Sequence, residues 1–195
     1  MKILQIDSSI TGDQSVSRQL TARIVESLRA ASPGATVTYR DLAGQPLPHH
    51  ALAHVESDRA AKQASLEEFL DADVVVVGAP MYNFSIPSQL KAWIDSILVA
   101  GTTFQYTEKG PQGLAGGKRV IVASSRGGVY SNGPFATMDH QETYLAGVFA
   151  FIGIDNVEFV RAEGLNLGAD ARQNAIAGAH AHADSFVNHP EAVAA

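Results

Sequence analysis

The chain alternates short apolar runs with longer stretches in which apolar residues recur every three or four positions. The clearest unit follows Asp73, where Val74, Val75, Val76 and Val77 stand in a row. Four β-branched residues in succession suit a strand buried on both faces. Gly78, Ala79 and Pro80 end that strand, and Met81-Tyr82-Asn83-Phe84 follows as a loop. Pro87 suits the start of a helix, because a first-turn residue needs no N–H partner. Leu90, Trp93, Ile94, Ile97 and Leu98 then mark one apolar stripe at helical spacing, to about position 99.

The same punctuation runs through the rest of the chain. Residues 2–6 predict a first strand, and Val16, Leu20, Ile24 and Leu28, four apart, predict a helix that Ser32-Pro33-Gly34 ends. Residues 36–40 read as a second strand and 44–48 as a turn-rich loop. A weaker helix is predicted over 56–71, with Ala60, Ala64 and Phe69 inward. Residues 101–117 read as a loop or short hairpin and 118–125 as a fourth strand. Tyr144, Leu145, Val148, Phe149 and Ile152 share a helix that Gly153 closes. A fifth strand over 157–161 and an Ala-rich helix over 169–188 complete the series. Five β-α repeats predict a three-layer α/β/α arrangement with a five-stranded parallel sheet. Right-handed crossovers give it the flavodoxin-like order 2-1-3-4-5. No linker or internal repeat interrupts the pattern, so residues 1–190 read as one domain and 191–195 as a frayed tail.

Composition narrows the function. The 195 residues are 46% hydrophobic and 17% charged, ordinary values for a globular protein. A net charge of −6 with both signs interspersed argues against a nucleic-acid partner held by phosphate neutralisation. Without cysteine there is no thiol catalysis and no thiolate metal site. No apolar run approaches the roughly 20 residues of a membrane helix, and residues 1–7 are too soon interrupted for a signal peptide. A cytoplasmic location without membrane attachment is the expectation.

In a sheet of order 2-1-3-4-5 the loops after strands one, three and four converge on one rim, where ligands of open α/β sheets bind. The first loop carries Ser9, Ser15 and Ser17 and opens a helix, whose free N–H groups suit an anion. Arg18 is placed to add charge. Plain helix capping by Ser15 is the alternative. In the second loop Asn83 offers donor and acceptor to a flat heterocycle, and Tyr82 and Phe84 offer aromatic surface; a turn that caps the core is the alternative. The third, Ser125-Arg126-Gly127-Gly128, lets its backbone approach a ligand or simply makes a strand-to-helix turn. Taken together, the three loops suit a flat ring with a phosphate tail, such as flavin mononucleotide. Gly113-x-x-Gly116-Gly117-Lys118 precedes a strand, the wrong context for a phosphate loop, and reads as a turn. His50 and His54 lack an evident third ligand, so no metal site is expected.

Three motifs carry a family resemblance: Gly78-Ala79-Pro80-Met81-Tyr82-Asn83-Phe84 with Ile86-Pro87-Ser88-Gln89-Leu90-Lys91, the segment 101–111, and Ser125-Arg126-Gly127-Gly128 with Ser15-Val16-Ser17. Over nearly its whole length the chain resembles the FMN-dependent NADH:quinone oxidoreductases and azoreductases of the bacterial azoreductase type. The resemblance implies FMN held at its phosphate by Ser9, Ser15, Val16 and Ser17. It implies Met81, Tyr82, Asn83 and Phe84 at the ring and Ser125, Arg126, Gly127 and Gly128 on its pyrimidine side. It also implies a homodimer with active sites at the interface, Phe104 facing the partner's flavin, and Tyr130 in the substrate pocket where some members carry histidine. The segment 44–57 is short against many members.

The implied reaction is two-electron, ping-pong hydride transfer from NADH or NADPH through FMN to a quinone or an azo compound, the azo bond being cleaved to two amines. The flavin carries the chemistry and no catalytic side chain is required. A flavodoxin-like electron carrier without its own substrate is the alternative from another class. It would be expected to carry a stronger acidic bias for docking. A reductase that uses FMN as a substrate is the third reading.

Overall fold

The valine run forms the centre of the sheet because both of its faces meet apolar layers. In the computed structural model, which describes residues 1–50 and 56–188, β3 (Val74–Pro80) is buried at every position. Val74 and Val76 face one apolar cluster and Val75 and Val77 the other, as the period of two along a strand requires. Each fully buried valine contributes about 2 kcal/mol of burial free energy. β3 pairs with β1 (Lys2–Asp7) on one side and β6 (Arg119–Ser125) on the other, all parallel. β2 (Thr36–Asp41) and β7 (Val157–Ala162) close the edges. The order β2-β1-β3-β6-β7 is the expected 2-1-3-4-5 once the separate hairpin is set aside.

That hairpin is β4 (Phe104–Thr107) with β5 (Gly110–Gly113), antiparallel, inside the segment expected to be a loop or short hairpin. On one face of the sheet lie α1 (Val16–Ala31) and α5 (Ala169–Ser185), which supply Leu20, Ile24, Leu28, Ala179 and Ala183. On the other lie α2 (Glu56–Asp71), α3 (Ser88–Ile97) and α4 (Glu142–Phe151), with Phe69, Trp93, Ile94, Leu145 and Phe149 in the core. Trp93 meets Phe69 edge to face, ring centres 6.0 Å apart.

The inward face of α2 differs from expectation. Ala60 is exposed and Ala64 half-buried; Ser65, Leu66 and Phe69 are the buried positions. Ser65 fits inside because its hydroxyl donates to the Ala61 carbonyl one turn back, at 3.0 Å. The glycine segment before β6, expected to be a turn, starts in β5 at Gly113 and runs on as irregular chain with a bend at Gly117, where φ is 79°. Lys118 Nζ donates to the carbonyls of Leu70 and Ala72, each at 2.7 Å, and so caps the C-terminal end of α2. His54, the paired histidine of the discounted metal site, and the tail 191–195 lie outside the described residues.

Register places the functional rim. Asp7 pairs with Gly78, and Pro80 with Ser125, so the carboxyl ends of β1, β3 and β6 lie side by side. At the opposite edge of the molecule, Gly113 is held against the C-terminal turn of α4, where a Cβ would overlap the backbone of Ile152 and Gly153. Gly113→Ala is therefore expected to lower unfolding free energy by about 1–3 kcal/mol in urea titration. Gly34→Ala, with nothing near its Cβ position, should leave it unchanged.

Candidate active site

After β1 the chain turns over the ends of its neighbours. Ser8 and Ser9 are buried, and Ser8 Oγ donates to the Gly78 carbonyl at 2.6 Å, tying this loop to β3. Ser9 Oγ lies 3.0 Å from Thr11 Oγ1 and 3.2 Å from the Tyr82 hydroxyl. Ser15 is the N-cap of α1: its Oγ accepts from the Arg18 N–H at 3.2 Å and lies 3.0 Å from Ser17 Oγ. The capping reading of Ser15 is thus correct, and it does not displace the other. Capping fixes the hydroxyl at the helix end and leaves the Val16 and Ser17 N–H groups ahead of the helix's own hydrogen bonds. Ser17 is fully buried behind Ser15 and does not line the cleft.

Arg18 does not add charge to this anion site. Its guanidinium forks onto Asp41 at 2.7 and 3.1 Å and donates to the Ser9 carbonyl at 2.8 Å. Hydrogen bonding from Arg18 holds the Asp41 carboxyl below the usual carboxylate range. The pair clamps the serine loop to the end of β2. A guanidinium in the first turn of α1 pairs with a carboxylate within reach, and Asp41 at the end of β2 supplies it.

The second loop is a tight turn. Tyr82 N–H donates to the Ser85 carbonyl at 2.9 Å and Ser85 N–H to that of Tyr82 at 3.1 Å. Asn83 and Phe84 between them both take positive φ, 49° and 70°. Asparagine tolerates that region; for phenylalanine it costs on the order of 1 kcal/mol. The turn divides the expected ring residues. Met81 and Tyr82 line the cleft, Asn83 is exposed at the tip, and Phe84, 40% exposed, faces a neighbouring depression. There it meets Tyr130 edge to face at 6.1 Å.

The third loop exposes backbone and hides charge. Arg126 is 1% exposed, and its guanidinium points into the protein. Nε donates to Gln141 Oε1 at 2.9 Å and Ser124 Oγ at 3.0 Å, and Nη1 to Glu163 Oε1 at 2.9 Å. Nη2 lies 2.9 Å from Asp139 and 2.6 Å from Glu142 without hydrogen-bond alignment, so these two contacts are ion pairs. Glu163 also accepts from the Tyr130 and Ser131 N–H groups and the Ser131 hydroxyl. Burial pushes the Glu163 carboxyl up, and these donors, with Arg126, outweigh it and hold it low. Gly127 lines the cleft, and both glycines also make room for the protein's own side chains. A Cβ on Gly127 would strike the Asn166 amide, and one on Gly128 would crowd the Tyr130 ring. The open space admits the protein's own side chains.

A fourth loop, between β7 and α5, was not foreseen. The N–H groups of Gly164, Leu165 and Asn166 donate to the carbonyls of Gly128, Arg126 and Gly127, a short ladder that locks the third loop in place. Leu165, Asn166 and Arg172 line the cleft with Thr11, Gln14 and Pro80. The signal was present in Gly164-Leu165-Asn166-Leu167-Gly168, a glycine-bracketed segment directly after a strand.

The four loops enclose a cleft of about 380 Å³, lined by Ser9, Ser15 and the start of α1 together with Met81, Tyr82, Ser125 and Gly127. Beside it an apolar depression of about 540 Å³ is lined by Phe84, Val129, Tyr130, Phe135, Met138 and Leu167 among others. The donor set fits a flavin nucleotide: buried hydroxyls and helix N–H groups for a phosphate, apolar and aromatic surface with backbone polar groups for a ring. Phe104 is not in either space. It packs on Phe151 at 4.7 Å and Tyr106 at 5.6 Å, on the hairpin.

The family model for the flavodoxin-like fold matches residues 1–187. A protein of Rhizobium meliloti (strain 1021) named FMN-dependent NADH:quinone oxidoreductase is 59% identical over 190 residues, covering 91% of this chain and 92% of that protein. An azoreductase structure from Bacillus anthracis str. Sterne superposes with a TM-score of 0.88 at 32% identity, over 97% of this chain and 99% of that one. An FMN-dependent NADH-azoreductase from Bacillus anthracis str. Ames Ancestor, solved in complex with FMN, gives a TM-score of 0.87 at 26% identity, over 96% and 98%. By sequence over almost its whole length, and by the cleft its loops build, this chain belongs to the family of FMN-dependent NADH:quinone oxidoreductases with a flavodoxin-like fold.

Proposed function

We propose that the protein is an FMN-dependent oxidoreductase that uses NADH, or NADPH, to reduce quinones and azo compounds. The observation that carries this reading is the continuity of the cleft from the buried serines at the start of α1 to the Met81-Tyr82 and Ser125-Gly127 backbone. Bound there, FMN would supply the two-electron chemistry between nicotinamide and quinone, and twice over the four electrons and four protons that turn an azo bond into two amines.

The chain's own residues bind and orient. Ser9, Ser15, Val16 and Ser17 serve the phosphate, Ser17 by holding Ser15. Met81, Tyr82, Asn83 and Phe84 bound the ring, the last two from the tip of the turn. Ser125, Arg126, Gly127 and Gly128 face the pyrimidine side through their backbone, since the Arg126 side chain is engaged elsewhere. Backbone donors fixed in this way stabilise negative charge without rearranging when it develops. Tyr130 and the apolar depression beside Phe84 take a flat acceptor. No side chain of the cleft is needed as acid or base, because water supplies the protons.

A homodimer with active sites at the interface is part of the same reading. What supports it is the exposed apolar rim of Phe84, Val129, Phe135 and Leu167, which a second copy would cover. Phe104 then acts on the partner's site, as it does not reach the cleft of its own chain. A cytoplasmic location, where NADH is supplied, completes it.

Because donor and acceptor share one exposed face, initial rates measured against NADH at several quinone concentrations should give parallel double-reciprocal lines; intersecting lines would contradict the ping-pong order. Asn83→Gly keeps the left-handed backbone while deleting the amide. It should weaken FMN binding about tenfold, the value of one ring hydrogen bond, in a fluorescence titration. Unchanged affinity would remove Asn83 from the ring.

A further inference from the structure

Two arginines line the cleft, and they stand in opposite conditions. The Arg126 guanidinium is turned inward among Asp139, Glu142 and Glu163. Arg172, in the opening turns of α5, uses its backbone N–H on the Gly168 carbonyl at 3.0 Å. Its guanidinium makes no ion pair and no hydrogen bond among the described residues. The nearby acids do not serve it. Asp170 is two positions away, on another face of the helix, and Glu163 is occupied by Arg126, Tyr130 and Ser131. Arg18, the cation nearest in sequence to the serine loop, is clamped to Asp41.

The charge balance of the phosphate end makes this arginine informative. A phosphate monoester carries roughly −1.5 to −2 at neutral pH, while the N-terminus of a helix offers only about +0.5. The serine hydroxyls are dipoles and add no net charge. A shortfall of about one charge remains in a protein of net charge −6. Arg172 lines the same cleft as Ser9, Thr11, Gln14, Ser15 and Val16. A guanidinium fork matches phosphate oxygens in geometry as well as charge.

We propose that Arg172 is the side-chain cation that pairs with the phosphate of the bound flavin nucleotide, and that it thereby selects FMN over riboflavin. The proposal rests on the FMN reading above. Its sequence position explains why the motifs of the first three loops did not reveal it: the charge is delivered from α5, across the face that α1 and α5 share.

The test titrates flavin-free, full-length protein with FMN and with riboflavin, following quenching of flavin fluorescence. Arg172→Ala should weaken FMN binding about 10- to 100-fold, leave riboflavin binding unchanged, and flatten the salt dependence of FMN binding. Arg172→Lys should recover part of the loss, since it keeps the charge and loses the fork. Arg172 is half-buried in an Ala-rich helix, and its side chain makes no hydrogen bond or ion pair among the described residues, so the urea midpoint should not move. FMN affinity unchanged in Arg172→Ala, or FMN and riboflavin weakened in equal ratio, overturns the assignment of Arg172 alone. Wild-type protein that binds neither flavin overturns the cofactor reading, and this assignment with it.

Discussion

The rim of the sheet is organised by one buried cation. Arg126 sits among Asp139, Glu142 and Glu163, with Gln141 and Ser124 completing its hydrogen bonds. Taking such charges out of water costs several kcal/mol per ion, so isolated they would not be tolerated. Here each carboxylate has further partners. Glu142 also holds Arg161 at 2.7 Å, Asp139 accepts from the Gln141 and Glu142 N–H groups, and Glu163 accepts from Tyr130 and Ser131. Removing the guanidinium alone would leave Asp139 and Glu163 without a counter-charge, an effect on the order of 3–5 kcal/mol. The cluster joins the end of β6, the start of α4, the segment 130–131 and the end of β7. It also anchors the third loop: the Arg126 side chain is drawn inward, its N–H donates to the Ala162 carbonyl at 2.9 Å and its carbonyl accepts from the Leu165 N–H at 3.1 Å.

From that fixed point the other loops follow through short bonds. Met81 N–H donates to the Ser125 carbonyl at 2.8 Å, continuing the β3–β6 ladder by one rung into the site. Ser8 ties the first loop to Gly78, Arg18 ties it to β2, and the ladder of residues 164–166 seals the fourth loop against the third. Such a rim can hold a flat cofactor in one orientation without using any side chain as an acid or base. For chemistry carried by the cofactor, that is the protein's part. The strained φ of Phe84 belongs to the same account, because it presents an aromatic edge to Tyr130 at the mouth.

Much of this is legible in the sequence. The valine run announced a two-faced strand because β-branched residues and a period of two leave few alternatives, and the topology followed from β-α alternation and handedness. In α2, by contrast, the alanines are nearly silent. Ala60 and Ala64 carry too little apolar surface to fix a helical face, and the true face runs through Ser65 and Leu66. Charges were the least legible feature. Arg18, Arg126 and Arg172 look alike in sequence. What each does depends on the carboxylates the fold brings to it: Asp41 and Asp7 to the first, three acids to the second, and none among the described residues to the third. Likewise the two glycines of the third loop read in sequence as room for a ligand, and Asn166, which sits where a Cβ of Gly127 would point, comes from a loop the local motif does not encode.

The central claim is that this cleft holds FMN and passes it electrons from a nicotinamide. It is tested most directly by the visible absorbance spectrum of the purified protein, taken before and after anaerobic addition of NADH. The account predicts flavin bands that bleach on adding NADH and return on adding a quinone. A protein that shows no flavin bands even after incubation with FMN, or whose bands persist with excess NADH, would contradict it.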